Sequence, residues 1–560
     1  MRGIILASML SIVLSATALA QSDQDLRNAG KRADEIITYG MSYSQQRFSP
    51  LKQINRDTVR RLVPAWAYSM ANSYGEEAQP LIKEGVIYVT NQDKTVAIDA
   101  LTGKEIWKTM VEYPPETTRV VCCGIVNRGA ALYQGRVFRV TLDARVIALD
   151  QMTGKEIWST RFGDPKFGVS GTGAPLVANG VVIIGAAGAE YGIRGFLDGY
   201  DSQTGERLWR HFTIPLPGEP GSDTWPEDAK RAKGGSSWTT GSYDPELDLV
   251  FWGIGNPAPW DPLDRKGDNL YTDTIMAIRP KTGEMVWYYQ MSPNDPFDHD
   301  GANALVQTEL TVQGKPTKVV MQAGRNGFFY VLERATGKLI AANKYVKVTW
   351  ADHVDMETGR PVWSETTKQI VNEPATIVTY PNISGGTNWF PMSYSPLTGL
   401  AYVNTINQGA EYRASMSVDE LQKLQPGESH RGLNLKPIYD DPDHRGFLKA
   451  IDPLTGTSKW EVGFKSPNWS GTLVTAGGLV FTGTLTGEFI AVDADTGKIL
   501  WQFQTPSGII GQPVTWERNG RQYVTVTSGT GGVYVLKVPD PNLEHTPPGG
   551  SLWTFKLFEE

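Results

Sequence analysis

VAIDALTGKEIW, running from Val96 to Trp107, recurs along the chain. VIALDQMTGKEIW ends at Trp158, LDGYDSQTGERLW at Trp209, IMAIRPKTGEMVW at Trp287, LKAIDPLTGTSKW at Trp460 and FIAVDADTGKILW at Trp501, while YVLERATGKLI covers Tyr330 to Ile340. Degenerate copies are VDMETGRPVW, ending at Trp363, and YSPLTGLAYV, starting at Tyr394. The first three tryptophans are 51 residues apart and the last two 41. Each copy is an alternating apolar strand that runs into Asp, then x-x-Thr-Gly, then a second strand carrying Trp. Asp and Thr side chains favour turn bonds to the backbone, and Gly supplies the positive φ of a tight hairpin. The Trp is then free to pack between neighbouring units. A further strand pair, such as GVIYVTNQ or GRVFRVTLD, precedes most copies. Four strands per 40 to 50 residues is the period of a propeller blade. The expected fold is therefore all-β: an eight-bladed β-propeller with Trp-docking repeats and loop insertions. A linear β-solenoid is the competing architecture, but the turns lack its short strict period.

A propeller closes as one domain, which reconciles the fold with a chain of 560 residues. Hydrophobic residues are 40% and charged residues 20%, which excludes a disordered chain. With 53 Lys and Arg against 60 Asp and Glu, the charge of −7 gives no basic face for nucleic acid. Two cysteines exclude a disulfide-dense scaffold. MRGIILASMLSIVLSATALA begins with a basic Arg2 and an apolar run and ends in Ala18-Leu19-Ala20, an A-x-A signal-peptide cleavage site. The expectation is cleavage after Ala20, a mature propeller domain over 21–560, and export, which in a Gram-negative host means the periplasm. The other reading of this stretch is a membrane anchor. No other segment is apolar for the length a membrane span needs.

Two stretches break the rhythm. Residues 214–235 are rich in Pro, Gly and charge. Residues 408–446 contain SVDELQKL, with Ser417 as the expected helix N-cap. Both read as insertions on the functional face. In VCCGIVNRG, Cys122 adjoins Cys123. Two reduced thiols and a vicinal disulfide are both open readings. An exported chain with no other cysteine favours the disulfide, a flat plate suited to one face of a planar ligand.

CCGIVNRG, GAEYGIRG, GGSSW, GNPAPW, an Asp-x-Asp segment and GRNGFFYVLER, in this order among the Trp repeats, resemble the pyrroloquinoline-quinone (PQQ) dependent alcohol dehydrogenases of the methanol/ethanol dehydrogenase type. The resemblance runs from about residue 37 to about residue 540. It implies PQQ, a planar tricarboxylate, between Cys122-Cys123 and Trp238. Arg128 and Arg325 match cofactor-contacting positions, and a guanidinium fork suits carboxylate and quinone oxygens. Glu77, Thr172, Gly188, Ala189, Glu190, Asn388 and Trp469 match others. At Ala187 the family often has Ser, so a side-chain bond is lost there.

The resemblance also implies one hard cation held by Glu190, Asn256 and Asp298, an oxygen set that suits Ca²⁺ and not zinc. In SPNDPFDHDGAN, Asp300 follows Asp298 by two residues. In this family an Asp there marks the lanthanide-dependent branch, because another carboxylate suits a trivalent ion. Calcium remains the alternative, with Asp300 in a blade turn. His299 between them reads as packing. Phe297 stands where the methanol-oxidising type usually has Trp, which implies a wider pocket.

The implied reaction is oxidation of a primary alcohol to an aldehyde. Asp298 takes the hydroxyl proton, hydride passes to metal-bound PQQ, and Arg325 steadies the negative oxygen. The expected electron acceptor is a cytochrome c. No C-x-x-C-H occurs, so covalent haem is not expected. A homodimer is the family expectation. The alternatives are a cofactor-free propeller scaffold and a PQQ enzyme acting on a polyol or sugar.

Overall fold

The computed structural model describes residues 21–228 and 232–559; the leader expected over 1–20 lies outside them. Eight sheets of four or five strands follow one another among these residues. The first runs through Leu81–Lys83, Val86–Thr90, Lys94–Asp99 and Glu105–Met110, each antiparallel to the next. Its first three strands are almost wholly buried, while the fourth alternates between exposed and half-buried positions. The fourth strand is thus the outer edge of its sheet. The last sheet contains Val514–Arg518, Arg521–Ser528 and Ser551–Leu557 from the C-terminus, and Leu62–Ser69 from near the N-terminus as its outer strand. One sheet shared by both ends of the chain closes the ring, as in a β-propeller.

The repeat forms the hairpin between the third and fourth strands. Asp99 Oδ1 accepts from the N–H groups of Leu101 (3.1 Å) and Thr102 (2.8 Å), which fixes the turn. Asp150, Asp201, Asp452 and Asp493 do the same in their own turns. The Trp of each repeat reaches into the next sheet. Trp107 Nε1 donates to Gln151 O (3.1 Å), and its ring covers Gly154, where φ is +69° and a Cβ would collide with it. Trp66, Trp158, Trp209 and Trp460 repeat both contacts on their neighbours. Trp501 Nε1 donates to Leu62 O (3.0 Å) and links the seventh sheet to the last. Trp287 covers Gly337 without a hydrogen bond. The fifth sheet has no Trp at this place; Asn343 Nδ2 instead donates to Leu454 O (2.9 Å) of the sixth. Replacing Trp107 by Phe keeps the ring over Gly154 and removes its N–H. We expect it to lower stability by about 1–2 kcal/mol, read as a lower urea midpoint at unchanged slope.

The degenerate copies differ from the rest. VDMETGRPVW has the same Asp355 turn, but its strands Ala351–Val354 and Pro361–Trp363 form a separate two-stranded sheet. YSPLTGLAYV joins the first two strands of its sheet, Ser393–Ser395 and Leu400–Ile406.

Antiparallel order fixes two faces. The Asp-x-x-Thr-Gly turns lie on one. Connections between sheets, and turns between second and third strands, lie on the other. Both insertions emerge on this second face. Residues 214–235 connect the third sheet to the fourth, and 408–446 join two strands of the sixth. Within the second insertion, Ser417 caps the helix Val418–Leu421, with Glu420 completing the capping box.

Candidate active site

Every residue singled out in the sequence lies on a connection at this second face. Glu77, Cys122, Cys123, Arg128, Thr172, Gly188, Glu190, Trp238, Asp298, Asp300, Arg325 and Asn388 line one cavity of about 330 Å³, a size suited to a small ligand. Cys122 and Cys123 are disulfide-bonded to each other, with Cys123 at φ +70°. The Arg128 guanidinium carbon lies 4.7 Å from the ring centres of both Trp238 and Trp389. Arg128 Nη2 pairs with Glu77 Oε2 at 2.9 Å. Burial pushes the Glu77 carboxyl up to about 7, against the pull of Arg128. Arg128 Nε and Nη1 are buried with no hydrogen-bond partner. Donors in that condition suit the carboxylates of an anionic ligand.

The acidic side of the cavity is equally unsatisfied. Asp298 Oδ2 meets Arg325 Nη2 at 3.2 Å, while Oδ1 is buried without a donor. Asp300 pairs with Arg325 Nη1 and accepts from the N–H of Asn256 (2.8 Å). Asp300 therefore belongs to the cavity and not to a blade turn. Gly255 makes room for it: a Cβ there would overlap Asp300 Oδ1. Burial raises the Asp298 carboxyl well above the ordinary range; Arg325 opposes the rise, and Asp300 and Glu190 add to it. Burial, then Asp300, raises Glu190. Asn256 stands behind the wall, with Nδ2 donating to Pro257 O (3.0 Å) and Oδ1 buried without a donor. Buried oxygens left without donors suit a hard cation.

Three residues named from the sequence stand off the cavity wall. Ala189 is wholly buried and does not reach the cavity. Trp469 is also wholly buried, packed 5.1 Å from Phe390 and 5.1 Å from Tyr534; Tyr534 is the ring that reaches the wall. Phe297 packs edge-on against Tyr412 (5.3 Å) and is absent from the wall. His299 does pack: burial pushes it down to about 3, and its Nε2 lies 3.2 Å from Pro381 O.

Sequence reading missed Trp389, Trp260, Tyr534 and Arg431 on the wall, and left out Ala187, which also lines it. Trp389 follows Asn388 directly and Trp260 ends the quoted GNPAPW. Tyr534 and Arg431 carried no signal.

Comparison with known proteins agrees with this geometry. The family model "PQQ: Glucose/ethanol/alcohol dehydrogenase, beta-propeller domain" matches residues 37–361 and 444–524. The quinohemoprotein alcohol dehydrogenase ADH IIB of Pseudomonas putida is 42% identical over 96% of this chain and 79% of its own. The 1-butanol dehydrogenase (quinone) of Thauera butanivorans is 38% identical over 100% of this chain and 98% of its own. A solved europium-containing methanol dehydrogenase superposes with a TM-score of 0.89 at 36% identity, covering 95% of this chain and 100% of that one.

Proposed function

Because this chain belongs to the PQQ-dependent alcohol dehydrogenase family, we propose that it oxidises primary alcohols to aldehydes in the cavity described above. The observation that carries this reading is the pairing, in one cavity, of unsatisfied donors on Arg128 with an unsatisfied oxygen on Asp298, with that of Asn256 behind the wall. Arg128, Glu77, Thr172 and Asn388 would hold PQQ at its polar edge, between Trp238 and the Cys122–Cys123 disulfide. Glu190, Asn256, Asp298 and Asp300 would hold the cation. When bound, the quinone supplies a two-electron acceptor and the cation a Lewis acid.

The chain's own residues do the rest. Asp298 Oδ1, free of any donor, accepts the hydroxyl proton of the alcohol. Arg325 holds Asp298 by its other oxygen and so fixes Oδ1 toward the cavity. The disulfide, Trp238 and Trp260 are the wall residues that would keep bulk water from the reacting atoms.

We assign the cation as a lanthanide(III), with Ca²⁺ as the alternative. Glu190, Asp298 and Asp300 on the cavity wall support this, as does the similarity to a europium-containing enzyme. Each of the eight sheets is read as one blade. The leader over 1–20 supports export to the periplasm, where a cytochrome c would take the electrons. No helix among the described residues is long and apolar enough to cross a membrane.

The test is titration of the purified chain with PQQ in the presence of La³⁺. Saturable uptake of one PQQ per chain is expected, with quenching of tryptophan emission from Trp238. A chain that retains no PQQ with either La³⁺ or Ca²⁺ contradicts the reading and favours a cofactor-free scaffold.

A further inference from the structure

The cavity contains a third guanidinium, that of Arg431. It comes from the second insertion, and residues 362–443, which include it, fall between the two stretches matched by the family model. Its backbone is fixed on both sides. The N–H of His430 donates to Glu190 O (2.7 Å), and Arg431 O accepts from the N–H of Trp260 (2.9 Å). The His430 ring lies against Gly192, where a Cβ would stand 2.5 Å from its Cε1 and Nε2. This clamp delivers Arg431 to the wall between Glu190 and Trp260. Its guanidinium carbon is 5.2 Å from the centre of the Trp260 ring.

The three arginines differ in their partners. Arg128 is paired with Glu77, and Arg325 with Asp298 and Asp300. Arg431 has no ion pair among the described residues, and its Nε is buried with no hydrogen-bond acceptor. Glu190 is the acid whose charge it feels, and in the function proposed above Glu190 is committed to a cation. A half-buried guanidinium in that position calls for an anion from outside the chain. The wall of the same cavity also carries apolar residues, among them Ala410, Leu435, Pro437 and Val538. An alcohol that matched both features would have a short alkyl chain with a hydroxyl at one end and a carboxylate at the other.

We propose that Arg431 is a specificity-determining residue that binds a substrate carboxylate, so that the enzyme favours ω-hydroxycarboxylates over neutral alkanols of the same length. This rests on the alcohol-oxidising function proposed above. The test compares 4-hydroxybutanoate with 1-butanol as substrates of the PQQ-loaded enzyme, in wild type, Arg431→Gln and Arg431→Lys. Wild type is expected to give the higher kcat/KM on 4-hydroxybutanoate. The ratio of the two kcat/KM values should fall about 10- to 100-fold in Arg431→Gln and recover in part in Arg431→Lys. Butanoate should inhibit wild type competitively and more tightly than butanamide, and this difference should vanish in Arg431→Gln.

Wild type that oxidises 1-butanol but does not prefer 4-hydroxybutanoate overturns the proposal and leaves the alcohol dehydrogenase reading intact. So does a ratio unchanged by Arg431→Gln. Loss of bound PQQ in Arg431→Gln, judged by absorbance per chain, overturns it by assigning Arg431 to the cofactor. Wild type that binds PQQ and the cation yet oxidises neither substrate overturns both.

Discussion

Replacing Asp298 by Asn is expected to lower kcat by about 10³- to 10⁴-fold while PQQ stays bound. Asn has nearly the same shape and still reaches Arg325, but it cannot take up a proton. The position is otherwise well prepared for that task. Asp298 sits at φ +59°, a conformation that side chains other than Gly, Asn and Asp rarely adopt, so Asn is also the replacement that disturbs the backbone least. Its Oδ2 is held by Arg325 and its Oδ1 is left without a donor. PQQ should remain because Arg128, Glu77, Trp238 and the disulfide are untouched. Turnover and cofactor absorbance are read on the same purified sample. Activity above about a tenth of wild type at full PQQ occupancy would reject Asp298 as the base.

The second large effect is expected at Asp300. Asp300→Ala removes one carboxylate from the cavity wall, a partner of Arg325 and the acceptor for the N–H of Asn256. A unit negative charge attracts a trivalent ion half again as strongly as a divalent one at equal distance. Its loss should therefore weaken La³⁺ far more than Ca²⁺. We expect the ratio of La³⁺ to Ca²⁺ affinity to fall about 100-fold, measured by competition against Tb³⁺ luminescence in the PQQ-loaded chain. An unchanged ratio would return Asp300 to a structural role.

The repeat was legible in the sequence because its chemistry is local. Asp99 bonds to N–H groups two and three residues on, and the pattern can be read without any knowledge of distant contacts. Ser417 as a helix cap was legible for the same reason. The same locality misleads at VDMETGRPVW. Asp355 makes an identical turn, but nothing nearby in sequence reveals that its strands pair only with each other. Trp107, Trp158 and Trp209, by contrast, each dock on the next copy of their own motif, so their spacing gives the order of the first four sheets.

Most of the cavity wall was named through motif resemblance, since its residues lie on connections of fixed place in the repeat. What resemblance could not give is the side of the wall a residue occupies. Phe297 adjoins Asp298 in sequence, yet it faces Tyr412 while Asp298 faces the cavity. Trp469 packs against Tyr534, which comes from another part of the chain and lines the wall. Arg431 acquires its setting from Glu190 and Trp260, both remote in sequence. A lone arginine in a polar insertion carries no mark of such a contact.

The central claim is that this cavity oxidises alcohols with PQQ and a metal ion. Dye-linked oxidation of 1-butanol by the purified chain tests it most directly, with PQQ and La³⁺, PQQ and Ca²⁺, or neither added. The account predicts turnover that requires PQQ, is highest with La³⁺, and is lost in Asp298→Asn. No turnover in either metal arm, from a chain that has taken up PQQ, would contradict it.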